Sequence, residues 1–216
     1  GCSSPVIQLP ITVSPQPLDP VIDGIQVVCE NDDGVLYQVN PSNFPVSNYS
    51  WEIRKQSDDL EGGAFITVGQ GTDQIFVRFT NEPVYLSVRE GNSICVSDTT
   101  QHWVAVNRRP IMLDSDVTVC SDSPTNVIFQ ADGSSPVPID KYDLNTVTTT
   151  AGLNYVVPAS GPVFPLNGVA ADIIQNHVFE NLEAVPLAVN YTVTPISVDA
   201  SLKECPGTPQ VITVNV

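Results

Sequence analysis

The chain of 216 residues is long enough for two domains of ordinary size, each with its own hydrophobic core. Its 24 acidic residues outnumber the 8 basic ones, and the resulting net charge of −16 repels phosphate backbones and anionic lipid surfaces. Nucleic acid is therefore excluded as a partner. Because no stretch approaches ~18 consecutive apolar residues, the sequence also predicts no membrane insertion.

Residues 1–17 have the pattern of the end of a domain. Residues 2–13 begin with a cysteine, end in an apolar alternating run and have the same length as residues 95–106 and 205–216. A pattern that recurs with a fixed length defines the unit of a repeat protein. We therefore expect residues 1–17 to be the closing strand and linker of a preceding repeat, in a chain that starts and stops inside an array.

Residues 18–108 are predicted to form the first complete domain. Apolar and polar residues alternate over short runs, and turns rich in Asp, Gly and Asn separate these runs. The predicted strands span residues 24–28, 35–39, 49–54, 74–79 and 84–89, and a closing strand follows Cys95. Short, evenly spaced strands without a helical stretch predict an antiparallel β-sandwich.

Residues 109–216 repeat this plan less regularly and are predicted to form a second β-sandwich. Strands are expected at residues 116–119, 126–130, 190–197 and 211–216, and at 173–179 in preference to one helical turn. Residues 140–165 give no clear assignment, although Tyr142 is expected to take the place of Trp51. Residues 107–110 form a short, proline-bearing linker, which predicts a semi-rigid tandem.

The cysteines suggest one disulfide in each domain. In a secreted chain their spacing predicts the pairs Cys29–Cys95 and Cys120–Cys205, and it leaves Cys2 without a partner in this chain. The first pair is expected to join two loops at one pole of its sandwich, since both of its members adjoin turns. Buried free thiols are the alternative, and metal ligation is disfavoured because no CxxC motif occurs.

No catalytic motif is visible in the sequence. His102 and His177 are both expected at ordinary surface or strand-edge positions, and neither a GxSxG nor an HExxH motif occurs. The carboxylate pairs at residues 32–33, 58–59 and 114/116 are interpreted as solvated turn residues. Binding of Ca²⁺ through their oxygens is the alternative, most of all at Asp114 and Asp116, which directly follow the linker.

The two tryptophans have different expected roles. Trp51 lies in an alternating strand between Ser50 and Glu52, so we expect it in the core of its sandwich. Trp103 lies close to the linker and is expected to pack at the domain junction. Exposed aromatic side chains that stack on sugar rings would instead indicate carbohydrate binding.

Several of these segments resemble the PKD-like repeats of Bacteroidota surface proteins. In the first domain the similar segments are residues 49–51 and 69–75, followed by a cysteine before the last strand. In the second domain they are residues 119–127, 190–195 and 205–209. In the family pattern the tryptophan precedes an Asp-Gly turn. This sequence departs from that pattern, because Trp51 precedes Glu52.

The resemblance implies a tandem of Ig-like, PKD-like β-sandwiches in a large protein exported to the cell surface by the type IX secretion system. Such repeats serve adhesion and gliding motility, which implies a non-enzymatic, semi-rigid spacer without a cofactor. The expected partners are neighbouring repeats of the same chain. Further expected partners are the type IX secretion machinery, the gliding machinery or surface glycans. The alternative is an accessory carbohydrate- or protein-binding module of a secreted multidomain enzyme.

Overall fold

The computed structural model describes residues 9–40, 47–161 and 163–216. All regular secondary structure within these ranges is β-strand. The chain divides into two units, Gly1–Val106 and Asn107–Val216. The sheets of each unit enclose an apolar core. The all-β, Ig-like β-sandwich class predicted from the sequence is confirmed.

The first unit packs two four-stranded sheets against each other. Its strands are β1 (Ile22–Gly24), β2 (Val27–Cys29), β3 (Val35–Val39), β4 (Asn48–Lys55), β5 (Ala64–Val68), β6 (Gln74–Phe79), β7 (Val84–Gly91) and β8 (Thr100–Asn107). One sheet has the order β1-β3-β6-β5 and the other β2-β8-β7-β4. Strands β4 and β5 are therefore edge strands of different sheets.

Strict alternation creates the core of the first unit. Along β6 every second side chain is buried, and β4 alternates in the same way over its first six residues. Because successive side chains of a strand point to opposite faces, each strand supplies one apolar row to the interior. Strand β5 was not predicted, since its register shifts between Ile66 and Val68 and the irregularity breaks the alternation.

The second unit has one large sheet and a smaller opposing layer. Its strands are β9 (Asp116–Thr118), β10 (Lys141–Thr149), β11 (Leu153–Val157), β12 (Leu166–Val169), β13 (Val178–Asn181), β14 (Ala188–Val198), β15 (Glu204–Pro206) and β16 (Gln210–Asn215). The large sheet has the order β12-β10-β14-β16-β9, with β15 paired to β14, and β11 pairs with β13. The predicted strands at residues 190–197 and 211–216 correspond to β14 and β16, which pair with each other in the middle of this sheet.

Two strand predictions in the second unit are wrong in part. Residues 126–130 are extended but form no strand, because their backbone groups bond to loops, as Phe129 N–H does to the Ala171 carbonyl at 2.9 Å. Residues 171–176 form turns, and only the Val178–Asn181 part of the predicted segment is a strand. Tyr142 is buried on β10, and β10 pairs with β14, an inner strand of its sheet. Trp51 has the equivalent position, because it lies on β4 and β4 pairs with β7, an inner strand of its own sheet.

The closing strand predicted for residues 1–17 is not formed in the part of that segment that the structure describes. Residues 9–17 have no strand, and Leu9, Ile11 and Val13 are almost fully exposed. A strand needs a neighbour to pair with its backbone N–H and C=O groups, and alternation alone supplies none. Instead Gln16 Nε2 donates to the Val96 carbonyl at 3.1 Å, at the end of the first unit where β7 leads into β8.

The predicted linker at residues 107–110 is bonded to the second unit. Asn107 Nδ2 donates to the Asp199 carboxylate at 2.6 Å, and Ser197 Oγ donates to the Arg108 carbonyl at 3.3 Å. The hydroxyl of Ser201 also donates to Asp199, and this bond, followed by those from the Asn107 side chain and the backbone N–H of Lys203 and Ser201, lowers the pKa of Asp199 to about 2. The linker is therefore held at the turn between β14 and β15.

Candidate functional site

The predicted disulfide Cys29–Cys95 is wrong, because the two residues lie at opposite poles of the first unit. The turn after Cys29 is bonded to the end of β6 and the residues after it, where Asn31 N–H donates to the Thr80 carbonyl at 3.3 Å. Cys95 follows β7, and its carbonyl accepts from Asn92 N–H at 3.0 Å. Strand β7 separates the two poles by roughly 25 Å, far beyond the ~7 Å that a disulfide allows between Cα atoms.

The predicted pair Cys120–Cys205 is wrong for the same reason. Cys205 lies opposite Ser197 near the end of β14, whereas Val119, next to Cys120, donates its N–H to the Asn215 carbonyl at 2.8 Å. Asn215 pairs with Ala188 at the start of β14. Nearly the whole length of β14, about 30 Å, thus lies between the two cysteines.

The observed cysteine states follow from this geometry. Cys95 and Cys120 are free thiols, and Cys29 and Cys205 are disulfide-bonded. Cys2, which was predicted to be unpaired in this chain, lies outside the described residues. Spacing along the sequence was an inadequate guide because it does not say at which pole of a sandwich a turn lies.

The acidic pairs are used locally in turns. Asp32 accepts from Cys29 N–H at 2.9 Å, Asp33 from Gly34 N–H at 2.8 Å, and Asp58 from Leu60 N–H at 3.1 Å. Asp114 and Asp116 are exposed. In the described ranges no group of three or more His, Cys, Asp or Glu residues has the arrangement of a metal site. Calcium binding remains a prediction.

His177 is buried, which corrects its predicted surface position. The turns at residues 171–176 carry it into the core, where its Nδ1 lies 2.9 Å from Tyr191 Oη. Tyr191 and Phe179 flank the imidazole at ring-centroid distances of 5.8 and 6.5 Å. Burial lowers the pKa of His177 and raises that of Tyr191, so both groups are held neutral in the folded unit.

Two further polar groups were misplaced by the sequence pattern. The predicted strand at residues 84–89 ended before Glu90, but β7 extends through Glu90 and buries it, with Ser47 Oγ donating to its Oε1 at 2.6 Å. His102 is half-buried, packs edge-on against Tyr37 at 5.8 Å, and has a buried Nε2 without a partner among the described residues.

Trp51 fixes the loop that precedes β6 and is a core residue, as predicted, with an exposed fraction of 3%. Its Nε1 donates to the Thr72 carbonyl at 2.8 Å, and Gln70 Nε2 donates to the Trp51 carbonyl at 2.9 Å. At Gly69, which has a φ of 96°, a Cβ would lie 2.0 Å from the Gln74 carbonyl oxygen, so only glycine fits. The two segments that resemble PKD-like repeats thus contact each other.

The outer face of the β2-β8-β7-β4 sheet is the best candidate binding surface. The register aligns Arg54 of β4, Tyr85 of β7 and Trp103 of β8 in one row across the sheet. Trp103 is 41% exposed, and the next row places Glu52 and Gln101 on either side of Ser87. Aromatic faces beside amide and charged groups can stack on a sugar ring and bond its hydroxyls.

This row could not be found from the sequence. Tyr85 and Trp103 occupy outward positions of predicted strands, which was visible in the alternation. Their alignment depends on the pairing register of β7 and β8, which alternation does not determine.

Comparison with protein families finds a match for the first unit. The model of the PKD-like domain matches residues 15–106, which include both motif segments of that unit. Residues 15–106 are therefore similar to a PKD-like domain. The same resemblance for the second unit remains a prediction. A search of curated proteins found no match.

Several solved multidomain structures are similar to the chain at low identity. A two-domain fibronectin type III segment from chicken tenascin is 11% identical, with 94% of this chain and 100% of that chain covered and a TM-score of 0.33. Mouse protocadherin-24 EC1-3 is 10% identical, with 91% and 70% covered and a TM-score of 0.27. The tandem Ig repeats of Dlar are 10% identical, with 93% and 95% covered and a TM-score of 0.26. Likeness at this level says nothing about what the chain binds.

Thiol labelling tests the cysteine assignment. When the protein is denatured without reductant and treated with iodoacetamide, peptide mass spectrometry should find the label on Cys95 and Cys120 and not on Cys29 or Cys205. Prior reduction should add the label to the latter two. Protection of Cys95 and Cys120 before reduction would contradict the assignment and restore the pairings predicted from spacing.

The buried imidazole predicts a pH dependence of stability. Because the pKa of His177 is lowered in the folded state, the unfolded chain binds a proton below about pH 6.5 that the folded chain rejects. The free energy of unfolding should therefore fall as the pH drops through 6.5, and His177→Gln should flatten this slope. Urea denaturation between pH 5 and 7 measures it, and equal slopes in both proteins would contradict the prediction.

Proposed function

We propose that the chain is a non-catalytic structural segment of a large, secreted cell-surface adhesin, in which it acts as a semi-rigid spacer. Two observations support this proposal. Residues 15–106 are similar to a PKD-like domain, a type of module that is typically non-catalytic. Cys29 and Cys205 are disulfide-bonded, which is consistent with an oxidising, extracellular environment. No helix in the described ranges is long and apolar enough to cross a membrane.

The pairing of the first and last strands of the second unit carries the proposal. Strand β9, close to the start of this unit, lies parallel to β16 at its end, with Asp116 opposite Thr213 and Thr118 opposite Asn215. The ladder continues beyond β9, because Val119 N–H donates to the Asn215 carbonyl at 2.8 Å. When the disulfide bonds of Cys29 and Cys205 are reduced, a pull on the two chain ends therefore draws these parallel neighbours in opposite directions along their axes.

This geometry resists force. When two parallel strands are pulled lengthwise in opposite directions, all hydrogen bonds between them are loaded together and must break almost at once. When strands are instead peeled apart from one end, the bonds break one after another at lower force. The β9–β16 ladder has the first arrangement, as a module that transmits tension along an array requires.

The linker, the net charge and the expected route of export complete the proposal. Neighbouring repeats of the same chain are the principal partners, and the short 107–110 segment limits the freedom between successive modules. The net charge of −16 gives repeats at a crowded surface a mutual repulsion that keeps an array extended. Export by the type IX secretion system and a role in Bacteroidota adhesion or gliding motility form the finer part of the proposal.

A second candidate function is an accessory carbohydrate- or protein-binding module of a secreted multidomain enzyme. The observation that favours it is the Arg54–Tyr85–Trp103 row, whose tryptophan is exposed. Retention on an immobilised glycan that Trp103→Ala abolishes would favour this candidate over a spacer.

Single-molecule pulling tests the spacer. Val119→Pro deletes the N–H that bonds the Asn215 carbonyl, so the force that unfolds the second unit should fall when the protein, with its disulfide bonds reduced, is stretched from its two ends. The matched control is Thr118→Pro, because the N–H groups of alternate residues in a strand point away from the neighbour that bonds the others. An equal fall in both variants, or none in either, would contradict a load-bearing β9–β16 ladder.

A further inference from the structure

The edge strands β4 and β5 border a cleft in the first unit that none of the functions above uses. Its volume is about 470 Å³, and it is lined by Trp51, Glu52 and Ile53 from β4, by Glu61 and Gly62 before β5, and by Ala64, Phe65 and Ile66. Gly62 has a φ of 129°, a conformation that favours glycine, and adds no side chain to the wall. The cleft therefore lies between the edges of the two sheets, where isolated bridges from Tyr49 to Gly71 and from Arg54 to Glu61 close the two ends of the β4 edge.

The backbone of β4 directs hydrogen-bond donors into this cleft. Tyr49 N–H, Lys55 N–H and the Trp51 carbonyl all point away from β7, since they bond Gly71, Leu60 and the Gln70 side chain. Hydrogen-bonding direction alternates along a strand, so the N–H groups of Trp51 and Ile53 point the same way. In the described part of the chain neither has an acceptor.

Two such donors fit the edge of an extended peptide. They are two residues apart in β4, which matches the spacing of alternate carbonyls on one side of an extended segment. Unpaired groups on an edge strand are a template for adding a strand from another chain. Phe65, with an exposed fraction of 59%, and the partly buried Ile66 offer apolar contacts for its side chains.

The negative charge of the cleft favours a basic peptide segment as its ligand. Glu52 and Glu61 line this cleft and also an adjoining depression of about 280 Å³. Arg54 lies 3.2 Å from Glu52 and 3.9 Å from Asp59, and Arg89 lines the depression, so the excess of negative charge lies on the side of the cleft. No lysine or arginine lines the 470 Å³ cleft itself. With a net charge of −16, a second copy of the chain is a poor occupant.

We propose that this cleft binds an extended, lysine- or arginine-bearing segment of a partner protein by strand addition to β4. Carbonyl groups of the segment accept from the N–H groups of Trp51 and Ile53. An apolar side chain fills the space against Phe65 and Ile66, and a cationic side chain lies near Glu52 and Glu61. The occupant is thus a basic β-strand.

The test uses the whole 216-residue chain and two synthetic peptides. One alternates Lys and Thr with Val, and the other carries Glu at each Lys position. ¹⁵N-NMR titration with the Lys peptide should shift the Trp51 and Ile53 amide signals and slow their hydrogen exchange, while the Glu peptide should leave both unchanged. This comparison needs no variant and so does not depend on the folding of one.

A matched pair of double variants tests the charge. Glu52→Gln with Glu61→Gln should weaken binding of the Lys peptide about tenfold, on the order of two partly exposed ion pairs. Asp33→Asn with Asp98→Asn changes the net charge equally at exposed sites outside the cleft and should leave binding unchanged. Equal weakening in both variants would overturn the proposal.

Two further outcomes would also overturn it. One is the absence of saturable binding of the Lys peptide at millimolar concentration. The other is a concentration-dependent dimer, detected by sedimentation, that protects Ile53 without peptide and so assigns the cleft to a second copy.

Discussion

The parallel ladder between β9 and β16 is the constraint on which the second unit depends. It joins the first strand of the unit to the last, so the long β10-β14-β16 sheet is completed only when both ends of the sequence are in place. Removing either end leaves a sheet edge unpaired. In the proposed spacer function the same ladder bears the load, because its bonds lie across a lengthwise pull on β9 and β16.

In the first unit, the contacts of Trp51 close part of the open side between the two sheets. Trp51 lies at the centre of that side, where its indole bonds the Thr72 carbonyl and its own carbonyl accepts from Gln70. These bonds hold the loop at residues 69–73 against β4 and cover one end of the edge. The middle of the edge, at Trp51 N–H and Ile53 N–H, has no acceptor among the described residues, so the same strand anchors a loop and offers two donors to the proposed peptide.

The sequence predicted the elements of this protein better than their pairing. Alternation located β4, β6 and β7, because a strand with one face in the core must repeat every two residues. It missed β5, where a register shift breaks the pattern, and it misplaced His177, whose burial depends on turns at residues 171–176. The disulfide pairs failed because a strand's length separates Cys29 from Cys95, a distance that spacing cannot express. The Tyr85–Trp103 row likewise required the register.

The direction of pulling tests the mechanical account most directly. Cys120, an exposed free thiol that follows β9, and Val216, at the end of β16, are adjacent to the same end of the ladder. With Cys2, Cys29, Cys95 and Cys205 replaced by serine, a tether on Cys120 and one on the C-terminus should peel β9 from β16. The account predicts that this geometry unfolds the second unit at clearly lower force than stretching the chain from its two ends. Equal forces in the two geometries, or a higher force for peeling, would contradict it.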